Sequence, residues 1–207
     1  MAILYQNYSE ESGRAEFHTF LGLYDLNADT WIYNEGPVNT LESGGVALYP
    51  AKLVDDRIYC AAGSTIACFE VATGSLIWKR ELPGEIWSSG FTISDGICAV
   101  NCEDYNMYGL DENTGTTKWS FRTTQHCTPL EGRVVNGVVY FVGGSDKSLF
   151  AVDLREGKII WKLDAERMVD DVSFFKKMLY VQQPTETEPG KIIAQAGSTA
   201  MCIDAHR

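Results

Sequence analysis

The side chains able to carry out chemistry in this chain of 207 residues are few and scattered. The histidines are His18, His126 and His206, and no HExxH, GxSxG, Walker-type or CxxC pattern accompanies them. Catalysis requires a nucleophile, a base and an orienting group, or a clustered ligand set. No such set can be assembled, so no catalytic residue, metal ligand or cofactor is expected. The six cysteines are Cys60, Cys68, Cys98, Cys102, Cys127 and Cys202, several inside apolar runs such as RIYCAAG and ICAVNC. Such surroundings predict small core fillers. On one strand Cys98 and Cys102 would lie about 13 Å apart, too far for a disulfide or a shared metal. Free thiols are expected, and with them a reducing compartment. The segment VGGSDKS (142–148) imitates a phosphate loop, but no helix follows to supply the N-terminal amides that make such loops work.

Binding chemistry is better represented. Acidic pairs occur at Asp55 and Asp56, at Glu103 and Asp104, and at Asp170 and Asp171. The first two read as solvated turn residues. Asp170 and Asp171 stand where a strand begins and are candidates to face a cation or a basic partner. Trp87, Tyr105 and His126 join them as candidate contact residues, since exposed aromatics are frequent interface anchors. Whether these five share a surface depends on the elements that carry them.

Those elements are repeats. FEVATGSLIW, LDENTGTTKW and VDLREGKIIW superpose without gaps, so that Glu70, Asp111 and Asp153 precede Gly74, Gly115 and Gly157 by four residues and Trp78, Trp119 and Trp161 by eight. The tryptophans recur at 41 and 42 residues, the length of one propeller blade. A weaker copy, YDLNADTWIY, puts Asp25, Asp29 and Tyr33 in the three places, and a further copy begins at Asp204. Ahead of these signatures, turn pairs lead into apolar, β-rich runs: DDRIYCAA, SDGICAV, NGVVYFV and KKMLYV. No window shows a capped rhythm of apolar residues at helical spacing, so an all-β fold is predicted. Each unit reads as four antiparallel strands, with the signature glycine in the last hairpin and the tryptophan packed over a neighbouring unit's turn. The units fall at about 1–36, 37–83, 84–124, 125–165 and 166–207 of a single domain. The first lacks an inner strand and the last an outer one. ILYQNYSEESGR and MLYVQQPTETEPG read as the same blade element occurring twice.

The composite of GVVYFVGG followed by LFAVD and GKIIW resembles the tryptophan-docking repeat of the quinoprotein-like propeller family, most strongly from Arg57 to Leu163. That resemblance implies a β-propeller. The family contains quinone dehydrogenases and also cofactor-free members, among them a lipoprotein scaffold of bacterial outer-membrane assembly. The dehydrogenases have eight blades and a vicinal disulfide over the cofactor, whereas this sequence has no adjacent cysteines, and its first is Cys60. No cofactor site is therefore carried over. The repeat count leaves open a part of a larger propeller, which the reading favours, a small ring of about five blades, and an arc completed by a second copy. Propellers usually bind through the face bearing the outer-to-inner connections and the loops between second and third strands, where Trp87, Tyr105, His126 and Asp170 map.

Seventeen Lys and Arg stand against 28 Asp and Glu, a formal charge of -11. That balance repels nucleic acid and anionic membrane surfaces and favours a basic partner. No apolar run approaches the roughly 20 residues of a membrane helix, and MAILYQNYSEESGR has no signal-peptide pattern. The sequence as given is expected to be soluble and cytoplasmic, or periplasmic or extracellular if a leader has been trimmed. The function expected is a non-enzymatic scaffold whose propeller face binds a protein or peptide. The alternatives are a fragment of a quinone- or metal-dependent oxidoreductase and a glycan-binding propeller using Trp87 and Tyr105.

Overall fold

A computed structural model of the chain describes residues 2–11, 14–33, 51–86, 90–123, 132–142, 148–164, 175–196 and 199–205. Among them there is no helix. Eighteen strands form five antiparallel sheets in which every strand pairs with its neighbour in sequence. The first sheet holds β1 (Ala2–Glu11), β2 (Arg14–Asp25) and β3 (Thr30–Tyr33). The second holds β4 (Lys52–Val54), β5 (Arg57–Ala62), β6 (Thr65–Glu70) and β7 (Leu76–Glu81). The third holds β8 (Phe91–Ser94), β9 (Ile97–Asn101), β10 (Asn106–Asp111) and β11 (Thr117–Arg122). The fourth holds β12 (Arg133–Val135), β13 (Val138–Val142), β14 (Ser148–Asp153) and β15 (Ile159–Asp164). The fifth holds β16 (Phe175–Gln182), β17 (Lys191–Ala196) and β18 (Thr199–Asp204). Four-stranded meanders of this kind are the blades of a β-propeller.

The repeat is visible in the turns. Asp55, Asp95 and Asn136 each carry a positive φ, of 52°, 50° and 48°, at the hairpins that open β5, β9 and β13. Asp and Asn tolerate that conformation because their short side chains bond locally. A second mark is a backbone bond from the residue after each signature acid back to the first hairpin: Val71 N–H to Asp56 O, Glu112 N–H to Gly96 O, and Leu154 N–H to Gly137 O. In the fifth sheet Ala205 N–H donates to Gly190 O at 2.8 Å. Gly190 is thus the counterpart of Gly137, and β17 is the second strand. This corrects the reading of KKMLYV as a second strand behind a turn pair. Two lysines offer neither the positive φ nor the local side-chain bonds of Asp-Gly or Asn-Gly, and MLYV belongs to β16, the first strand of its sheet. ILYQNYSEE, by contrast, lies in β1 and pairs directly with the strand bearing Asp25. The two segments are therefore different blade elements and not one occurring twice.

The described residues fall into two compact units, 1–88 with 113–116, and 89–112 with 117–207. In the first, Leu21, Leu23, Ile58, Cys60, Ala67 and Phe69 form a buried cluster with Tyr33 packed against it. Strands β5 and β6 are buried almost throughout because they are covered on both faces, whereas in β7 only Trp78 is buried. The ring of Tyr33 lies over Gly74, where a Cβ would come 3.0 Å from it, and Trp78 lies over Gly115, where a Cβ would meet Cε3 at 2.5 Å. In the second unit Trp119 covers Gly157 in the same way, at 2.5 Å, and its Nε1–H donates to Leu154 O at 2.9 Å. Phe121, Phe141 and Phe150 continue that core in stacked and tilted contacts, and Trp161 packs beside Tyr140.

Four times the outer strand carries a bulge beside its aromatic. Tyr33, Trp78, Trp119 and Trp161 pair with Leu23, Cys68, Gly109 and Ala151, and the register slips immediately afterwards. A bulge re-aims side chains, and here it turns the aromatic into the core while its predecessors are left outside. Ile32, Ile77 and Ile160 accordingly sit on the surface.

Glycines with the same φ allow the two demands on these turns to be separated. Gly157 (φ 69°) faces Trp119, whereas Gly137 (φ 74°) has nothing within 4 Å of its would-be Cβ. Gly137→Ala should cost only the left-handed backbone, about 1–2 kcal/mol. Gly157→Ala should cost that and an overpacking term, about 2–5 kcal/mol in all. Urea unfolding of the two variants measures the difference.

Candidate functional site

Antiparallel order places the β9–β10 connection, residues 102–105, at one end of the third sheet and the β8–β9 and β10–β11 turns at the other. Tyr105 lies in that connection with φ 72°, the one described residue in the left-handed region that is neither glycine, aspartate nor asparagine. For a tyrosine this conformation costs about 1–2 kcal/mol. It is held by Thr123, whose N–H and Oγ1 both donate to Tyr105 O, at 2.8 and 3.0 Å. The Arg122 guanidinium sits 5.6 Å from the centre of the half-buried Tyr105 ring.

Asp104 anchors the same loop. Its Oδ1 accepts from Asn106 N–H at 3.0 Å, and its Oδ2 accepts from Asn106 Nδ2 at 2.9 Å and from the Tyr108 hydroxyl. Burial would raise this carboxyl, but the bonds from Tyr108, Asn106 and Cys102 outweigh burial and hold it below its ordinary value. Burial and then the Asp104 carboxylate push the Tyr108 hydroxyl up. Asp104 is therefore a built-in acceptor and not the solvated turn residue its sequence suggests. The signal was the Asp-x-Asn spacing of a turn, in which an aspartate accepts from the backbone two residues on, with Tyr108 following on β10.

Of the other contact candidates, Trp87, His126, Asp170 and Asp171 lie outside the described residues, as does Cys127, so only Tyr105 has a geometry. The signature acids hold turns. Asp153 Oδ1 accepts from the N–H groups of Arg155 and Glu156 at 2.9 and 2.8 Å, Glu70 Oε2 accepts from Thr73 Oγ1, and Asp111 pairs with Lys118 at 3.1 Å. Cys60, Cys68, Cys98 and Cys102 are buried free thiols, and Cys202 is an exposed one. No two of them adjoin in sequence, and no three His, Cys, Asp or Glu side chains converge among the described residues.

The comparison with known families decides the kinship. A family model described as outer membrane protein assembly factor BamB matches residues 23–207. The chain belongs to the BamB-like propeller family. A curated BamB from Nitrosomonas eutropha (strain DSM 101675 / C91 / Nm57) is 31% identical over 111 residues, covering 47% of this chain and 26% of that protein. The chain spans about a quarter of the length of the curated BamB relatives it matches. The crystal structure of BamB from Moraxella catarrhalis superposes with a TM-score of 0.62 at 15% identity, over 98% of this chain and 61% of that one. Sqt1 of Saccharomyces cerevisiae gives 0.66 at 10%, over 100% and 59%. At these identities the structures speak for the fold alone. Among the described residues of this BamB-like chain no helix is long and apolar enough to cross a membrane.

The depressed Asp104 carboxyl predicts a pH signature. A group whose folded value lies below its unfolded value, about 3.9 for aspartate, stabilises above that value and loses its contribution as pH falls through the folded one. Asp104→Asn should therefore unfold more easily than the parent at pH 7, by about 1 kcal/mol. The gap should narrow as pH falls below about 3.9, as denaturant midpoints across that range would show.

Proposed function

We propose that the chain is a non-catalytic scaffold that binds a protein or peptide partner through the sheet ends carrying Tyr105, with His126, Asp170 and Asp171 contributing to the same surface and Trp87 offering a contact of its own. The observation that carries this reading is the Tyr105 knuckle. Strained residues persist where surrounding structure over-determines them, and such positions cluster at ligand clamps. Here a half-buried aromatic is fixed beside an arginine by two bonds from Thr123 and by a neighbouring carboxylate network. A pre-organised aromatic loses little entropy on binding. The family supports the same class, since its named members are assembly factors, and it points to a role in outer-membrane protein assembly in the cell envelope. The charge of -11 favours a partner with a basic surface.

The test is site-specific photocrosslinking in the protein's own cells. A benzoylphenylalanine placed at Tyr105 should give a discrete covalent adduct with another protein, and the same group at the exposed Lys79 on β7 should not. Equal labelling at the two positions, or none at Tyr105, would contradict the proposal.

A further inference from the structure

The other end of the third and fourth sheets holds a cleft that the Tyr105 surface does not use. Its volume is about 710 Å³, within the range of roughly 300–1,000 Å³ typical of ligand pockets. Its lining has two chemistries. Val134, Val138 and Ile160 are aliphatic, while Asp95 comes from the β8–β9 turn and Asp153 from the end of β14, with Arg155 two residues on. Ile160 is 38% exposed because the β14–β15 bulge leaves it outside the core, so apolar surface stands open beside two carboxylates.

The carboxylates keep capacity to spare. Asp153 Oδ1 is occupied by the amides of Arg155 and Glu156, and Asp95 Oδ2 accepts from Ser94 Oγ at 3.1 Å. Asp153 Oδ2 and Asp95 Oδ1 have no partner among the described residues. The nearby Lys158 is paired with Glu156 at 2.7 Å, its charge also acting on Asp153, and Arg155 makes no ion pair among the described residues. An aliphatic patch next to uncommitted carboxylates matches one kind of side chain, an apolar stem ending in a cation.

We propose that this cleft docks a lysine or arginine side chain of an extended peptide, the stem against Val134, Val138 and Ile160 and the cationic head on Asp95 and Asp153. Lys158, whose charge acts on Asp153, and Arg155 in the lining are the resident cations beside these carboxylates. The site is separate from the Tyr105 surface, so either can fail without the other.

The test is a titration of the isotope-labelled full chain with acetyl-Val-Arg-Val-amide, and with acetyl-Val-Gln-Val-amide as the uncharged match, followed by amide NMR at low salt. The arginine peptide should shift the Gly96 and Gly137 amides saturably and the glutamine peptide should not. Asp95→Asn, which suits φ 50°, should weaken binding about two- to fivefold, the worth of one exposed charge pair. Arg155→Gln should tighten it by a similar factor. Equal binding of the two peptides, shifts confined to other residues, or no shift at millimolar peptide would overturn the proposal. Thermal unfolding of both exposed-residue variants checks that they are folded. Loss of cleft binding with Tyr105 crosslinks retained would count against the cleft alone.

Discussion

An aromatic ring laid on a glycine turn is the contact on which each unit of this protein depends. A single antiparallel blade cannot hide both of its faces, and the strands that would suffer most are the middle pair, such as β5 with β6, which are apolar almost throughout. Tyr33 on Gly74, Trp78 on Gly115 and Trp119 on Gly157 couple one repeat to the turn of the next. A tryptophan can bury about 150–250 Å², or about 4–6 kcal/mol of gross hydrophobic stabilisation. Since domains are stable by only about 5–15 kcal/mol, loss of one such contact would be felt throughout its unit.

The remaining signature residues serve that contact. The acid four residues before the glycine caps the turn from beneath, as Asp153 does through its Oδ1. The bulge on each outer strand swings the aromatic inward and leaves Ile32, Ile77 and Ile160 outside. Tyr33 shows what the position demands, because its ring reaches Gly74 but its buried hydroxyl finds no hydrogen-bond partner among the described residues, whereas Trp119 Nε1 reaches Leu154 O. Burial pushes that hydroxyl up to about 12. With the fold held by these columns, the loops at the sheet ends are free to carry binding chemistry, which is where Tyr105 and the Asp95–Asp153 cleft lie.

Much of this was legible in the sequence because the docking contact needs fixed residue types at fixed spacing. The places of Gly74, Gly115, Gly157 and their tryptophans follow from the 41- and 42-residue periods, and the weak copy ending at Tyr33 shares the turn conformation, with Asp29 at φ 52°. The fifth sheet was misread because apolar content in MLYV does not distinguish a first strand from a second. The backbone bond from Ala205 to Gly190 does, and no turn signature announces it behind the polar stretch PTETEP. The Tyr105 strain, the Asp104–Tyr108 network and the cleft were hidden for a different reason. Each depends on where residues such as Thr123, Arg122 and Asp95 arrive in space, which no local pattern encodes.

A double-mutant cycle between Trp119 and Gly157, read by urea unfolding, tests the docking claim most directly. If the ring and the turn are in contact, the cost of Gly157→Ala should shrink in a Trp119→Leu background toward that of the backbone alone, with a coupling of at least about 1 kcal/mol. Additive costs, with coupling below about 0.5 kcal/mol, would contradict the account and leave the glycine explained by its φ without the tryptophan.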